Sequence, residues 1–245
     1  MKTQILGIKI DSQSFEEAIE KIDHFVCGKI PSQIVTLNPE FIMAAQKDRV
    51  FKKILNQADL AIPDGFGLML AASYLGRPLK ERITGVDLTW AICKLAEDRG
   101  YSVFFLGGGK GVAKETARRI QKIHNRLKIA GVYSGKPDDT ETVSKIEEAK
   151  PDILLVAFGA PKQDKFIYNL NHLKGAFHPS LSMGVGGTFD YIAGRVSRAP
   201  GWMRTLGLEW LYRLIKQPKR LDRIITATIR FPWAVLSQRL NRLSR

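Results

Sequence analysis

Asp64 stands in AIPDGFG, a carboxylate closing a short apolar run with Gly65 and Gly67 behind it. Two readings compete for it. An aspartate there caps a helix opening at Gly65, or it faces a cleft and takes the proton of an attacking hydroxyl. On the isolated stretch the cap is the default. TLNPEF supplies a second group, because Thr36 and Asn38 alternate along an extended run and so share a face that can meet one sugar. Asn38 also precedes Pro39, and proline is favoured in the first turn of a helix, so a capping role competes here too.

Three glycine-bearing stretches add backbone chemistry. Gly107, Gly108 and Gly109 in FLGGGKGVAKE follow a strand-like run and open a helical one, where N–H groups can receive a diphosphate. A tight strand-to-helix turn needs the same glycines. The stretch fails as a dinucleotide fingerprint: counted from Gly107 the last small position holds Val112, and counted from Gly109 it holds Lys114. FGAPKQD places Lys162, Gln163 and Asp164 at a helix start, which welcomes an anion. In GVGGTFDYIAG, Gly186 and Gly187 precede Asp190, a hydrogen-bond partner for a ribose or a base. No metal site is expected, since Asp138 and Asp139 lie in the turn-like KPDDTE and the histidines are dispersed. If a phosphate leaves here, arginines take up its charge.

Such residues need a scaffold that gathers them. The runs QILGIKI, QIVTLN, LAIPDG, SVFFLGGG, LKIAGVYSG, DILLVAFGA and LSMGVGG read as strands, and amphipathic runs such as SFEEAIEKIDHFV and PEFIMAAQKDRVFKKILNQ read as helices between them. The alternation predicts an α/β, Rossmann-like, mostly parallel sheet with helices on both faces. Ligands in such sheets lie beyond the strands' carboxyl ends, where the candidate residues fall. Residues 1–194 make this core. From 195 to 245 strand signals stop, and a basic helical appendage punctuated by Pro200, Pro218 and Pro232 is expected.

Charge divides at the same point. The chain of 245 residues carries a net +14, of which residues 195–245, with 12 bases and two acids, carry +10. That imbalance predicts an anionic partner. Trp210, Tyr212, Phe231 and Trp233 lie among the arginines, a mixture suited to the membrane–water boundary. No apolar run is long enough to span a bilayer, and the N-terminus is too short for a signal peptide. Cys27 and Cys93 fit a reducing cytosol. The expectation is a peripheral protein on the cytoplasmic face of the cell membrane. No recognised nucleic-acid motif appears, although a non-catalytic nucleotide- or RNA-binding protein would use the same charge. The aromatics could equally be buried between subunits of a homo-oligomer.

Taken in order, TLNPEF, IPDGFG, FLGGG, AFGAPKQD, GVGGTFDYIAG, RAPGW and LEWLYRLIKQPKRLDR resemble the WecG/TagA/CpsF glycosyltransferases over nearly the whole chain, most closely the TagA branch. The resemblance implies a UDP-sugar donor and an undecaprenyl-diphosphate-linked N-acetylglucosamine acceptor. N-acetylmannosamine from UDP-N-acetylmannosamine would move to the acceptor's 4-hydroxyl in wall teichoic acid linkage-unit synthesis. It further implies inversion, no cofactor or metal, and a membrane-associated appendage that completes the site. Asp64 would be the base, Thr36, Asn38 and Gln163 would orient the sugars, and Arg213, Arg220 and Arg223 would supply the appendage's charge. Asp164 departs from the family's more usual glutamate. Branches differ in donor, so a glucose or uronic-acid (ManNAcA) sugar nucleotide stays open.

Overall fold

The computed structural model describes residues 2–216, 218 and 221–243. After β1 (Lys2–Ile5) and β2 (Ile8–Asp11) come the six strands of the main sheet: β3 (Ser32–Leu37), β4 (Leu60–Pro63), β5 (Ser102–Gly107), β6 (Lys128–Tyr133), β7 (Ile153–Ala157) and β8 (Leu181–Gly184). Their order is β4-β3-β8-β7-β5-β6, with every neighbouring pair parallel. Parallel pairing demands crossovers. After α1 (Phe15–Gly28) leads into β3, these use α2 (Pro39–Lys47), α3 (Arg49–Gln57), α4 (Phe66–Tyr74), α5 (Gly85–Arg99), α6 (Val112–Ile123), α7 (Thr140–Ala149) and α8 (Lys162–Asn171), and α9 (Thr188–Ile192) follows β8. The expected α/β architecture is what forms.

Alternation along the strands divides the core. In β3, Ile34 packs with α1, α5 and α6 on one face of the sheet, while Val35 and Leu37 pack with α2, α3 and α4 on the other. A third cluster joins Phe104 and Leu106 of β5 and Leu154 and Val156 of β7 to α7 and α8.

Two runs divide where the sequence reads as continuous. QILGIKI is not one strand but an antiparallel hairpin, β1 and β2, turning at Leu6 and Gly7. Leu6 sits at φ 47°, a conformation costly for leucine, and is held there by bonds from three helices. Its carbonyl accepts from Gln46 and Lys52, and its N–H donates to Gln238 Oε1 at 2.8 Å. The long run from Pro39 to Gln57 breaks at Asp48, which takes an extended conformation and caps α3 by accepting from Phe51 N–H at 2.9 Å.

Beyond Gly194 the chain is helical, as expected: α10 (Gly201–Thr205), α11 (Glu209–Lys216), α12 (Leu221–Ile225), a π-helical turn at Thr226–Arg230, and α13 (Phe231–Leu243). The π turn precedes Pro232, which has no N–H to give to the helical ladder. This segment is seated on the core. Phe231 and Val235 are buried among α2, α4 and the hairpin, at 1% and 3% exposure. Arg239 donates to Tyr74 O at 2.7 Å and lies 4.4 Å over the Tyr74 ring. Phe231 therefore does not belong with the interfacial aromatics, because it turns inward. No helix among the described residues is long and apolar enough to cross a membrane.

Candidate active site

Because all six strands run the same way, their carboxyl ends share one edge, and a cavity of about 780 Å³ lies along it. β4 delivers Asp64. The N–H groups of Asp64 and Gly65 both donate to Leu37 O, at 2.8 and 3.2 Å, which fixes the end of β4 to the end of β3. A Cβ on Gly65 would fall 2.6 Å from Pro39 Cδ, so glycine is required for the two loops to touch. The residue at the N-cap of α4 is Gly65, not Asp64. The partly buried Asp64 lines the cavity.

β3 delivers Thr36 and Asn38, which both line the cavity. Thr36 is buried and donates to Gly184 O at 3.4 Å. Asn38 does cap α2, its Oδ1 accepting from Phe41 N–H at 3.0 Å, which leaves its amide nitrogen for a ligand. Gly108, Gly109, Gly186, Gly187 and Asp190 also line the cavity. Gly107 stands behind the wall, where a Cβ would fall 2.8 Å from the Phe158 ring.

Gln163 lines the cavity and also has a structural task. It is 1% exposed, and its Oε1 accepts from Gly159 N–H at 3.1 Å and Gly186 N–H at 2.9 Å. The side chain therefore ties the loop after β7 to the loop after β8. Its neighbour Asp164 is fully buried, and neither carboxylate oxygen has a hydrogen-bond partner among the described residues.

The helical segment contributes to the cavity wall. Arg223 reaches Glu40 Oε2 through Nε and Nη2, both at 2.5 Å, and lines the cavity beside α2. Arg220 and the side chain of Arg213 lie outside the described residues. Arg198 also lines the cavity, held by Asp87 and Thr84 at the start of α5. Sequence reasoning missed Arg198, Lys110, Lys136 and Glu209, all in the cavity wall. The one available signal for Arg198 was its place at the head of RAPGW. Among the described residues no three His, Cys, Asp or Glu side chains are grouped to hold a metal ion, and Asp139 instead caps α7.

Burial pushes the Asp164 carboxyl up to about 7. The folded chain then keeps a proton that the unfolded chain releases from about pH 4 upward, so this site costs stability as pH climbs from about 4 to about 7. Asp164→Asn is neutral throughout. The melting temperature of this variant relative to the parent is predicted to rise across that window and level off above it. A difference that stays flat with pH would mean that Asp164 is not protonated in the folded chain.

Residues 3–245 match the Glycosyl transferase WecG/TagA/CpsF family. Three relatives carry the name N-acetylglucosaminyldiphosphoundecaprenol N-acetyl-beta-D-mannosaminyltransferase. The protein from Bacillus subtilis (strain 168) is 37% identical over 230 residues, covering 94% of this chain and 88% of the relative. That from Bacillus spizizenii (strain ATCC 23059 / NRRL B-14472 / W23) is 37% identical over 194 residues, 79% of this chain and 74% of the relative. That from Staphylococcus aureus (strain MRSA252) is 33% identical over 226 residues, 91% and 88%. With a match from end to end and the family's motifs gathered along one cavity, this chain belongs to the WecG/TagA/CpsF family of glycosyltransferases.

Proposed function

We propose that this chain transfers N-acetylmannosamine, with inversion, from UDP-N-acetylmannosamine to the 4-hydroxyl of undecaprenyl-diphosphate-linked N-acetylglucosamine. The names of its relatives support the substrates. One observation carries the mechanism: Asp64 from β4 and Arg223 from the C-terminal segment line the same cavity. The acceptor oxygen attacks the anomeric carbon from the side opposite UDP. Its proton passes to Asp64, the bond from carbon to phosphate oxygen breaks, and UDP leaves with the electron pair. Asp64 supplies general-base assistance, and guanidinium groups meet the charge growing on the diphosphate. Thr36 and Asn38 hold the sugars, Gln163 keeps the loops in register, and Gly108, Gly109 and Asp190 lie where the nucleotide passes.

The acceptor's lipid stays in a bilayer, so the enzyme works as a peripheral protein on the cytoplasmic leaflet. Support comes from side chains that no core explains: Trp202, Leu206, Ile215, Ile229, Trp233 and Leu240 are 57–71% exposed in a strongly basic segment. An anionic leaflet attracts each nearby basic residue by about 1 kcal/mol, and the apolar side chains add burial in the interface. A second copy of the chain packing on this face would bury the same residues.

Asp64→Asn should lower acceptor-dependent UDP release by about 10²–10⁴-fold while UDP still binds. Near-parental turnover would remove Asp64 as the base. The surface role is best tested with the core packing intact. Replacing Trp202, Ile229 and Trp233 together by serine, with Phe231 kept, should reduce sedimentation with anionic vesicles. Equal sedimentation of variant and parent would leave the exposed face without a membrane role.

A further inference from the structure

We propose that Arg198 is a further substrate-binding residue, receiving the donor's diphosphate on a guanidinium that the core holds in place; this rests on the reading of the cavity as the nucleotide-sugar site. The described cations lining the cavity are Lys110, Lys136, Lys162, Arg198 and Arg223. The three lysines and Arg223 are exposed, and Arg198 alone is partly buried. Exposed ammonium groups must shed strongly bound water before they meet a phosphate, whereas a guanidinium is more weakly hydrated.

Arg198 is also preoriented. Its Nη1 donates to Asp87 Oδ1 at 2.7 Å, and its Nη2 donates to Asp87 Oδ2 at 3.1 Å and to Thr84 Oγ1 at 3.2 Å. Those partners are themselves fixed, because Thr84 caps α5 by accepting from Asp87 N–H at 3.2 Å and donates to Asp87 Oδ2 at 2.7 Å. Three of the five guanidinium N–H groups are thereby placed. Nε is buried with no partner, and the second N–H of Nη1 is the donor left to meet a phosphate oxygen. Burial works against the charge, yet the bond to Asp87 and the fields of Asp87, Glu209 and Asp64 hold Arg198 above the usual arginine range. Arg198 and Asp64 line the same cavity. A clip joining the C-terminal segment to the core would need only the Asp87 pair. It would not need a rigid, half-desolvated cation in the cavity wall.

The test is titration of the full chain with UDP, UMP and uridine. Arg198→Ala is expected to weaken UDP by about tenfold or more, as loss of a charge-assisted hydrogen bond does, and to leave uridine unchanged. Arg198→Lys, which keeps the charge and loses the anchored, planar guanidinium, should fall between. UDP bound as tightly as by the parent, or UDP and uridine weakened alike, would reduce Arg198 to a structural clip and overturn the proposal. Should Arg198→Ala fail to fold, Arg198→Lys decides, and parental UDP affinity in that variant overturns the proposal. A parent chain that binds none of the three ligands would overturn the donor reading itself, whatever Arg198 does.

Discussion

Phe231, sealed among α2, α4 and the β1–β2 hairpin, holds a strongly basic segment against the carboxyl edge of the sheet. Burying such a side chain is worth about 1.5–3 kcal/mol, more than the exposed Arg223–Glu40 pair, whose kind contributes about 1 kcal/mol or less. Apolar burial therefore fixes the segment, and the ion pairs orient what it carries. The hairpin that forms part of this socket is held in turn by the segment, through Gln238 on the Leu6 N–H. Core and C-terminal helices are thus one packing problem, and the site depends on its solution. Without it the sheet would present Asp64, Thr36 and Asn38 with the lysines of its own loops, but not Arg223.

The six parallel strands set the other half of the geometry. Each contributes a loop to one edge, and neighbouring loops are fastened in pairs. Leu37 O takes two N–H groups from the end of β4, Gln163 Oε1 takes one N–H from each loop beside β7 and β8, and Thr36 binds Gly184 O. These bonds make the cavity wall stiff. A base and a charge stabiliser act on one bond only if their separation is held nearly constant, and the fastened loops hold one partner while the seated segment holds the other.

Much of this was legible in the sequence. Alternation of β-branched and amphipathic runs revealed the sheet, and glycine-rich strand ends marked its working edge. Asp64, Thr36, Asn38 and Asp190 were recognisable as site candidates because they follow strands. Local pattern failed where tertiary contacts decide. The Leu6 turn is stabilised by residues 40 or more positions away, so QILGIKI looked like one strand. Asp48 breaks an otherwise continuous helical run because an extended residue there caps the next helix. Phe231 resembles its aromatic neighbours in composition, and only packing separates it from Trp233. That Gln163 also ties two loops together was invisible in FGAPKQD, where nothing tells a buried amide from an exposed one. Arg198 was hidden in a segment rich in arginine, where charge alone does not single out one residue.

The account stands on guanidinium groups, rather than a divalent ion, meeting the charge of the departing UDP beside Asp64. Its most direct test is transfer from UDP-N-acetylmannosamine to undecaprenyl-diphosphate-linked N-acetylglucosamine by the full chain in excess EDTA. The rate is predicted to match that without chelator. Activity that disappears in EDTA and returns with added magnesium would contradict the account.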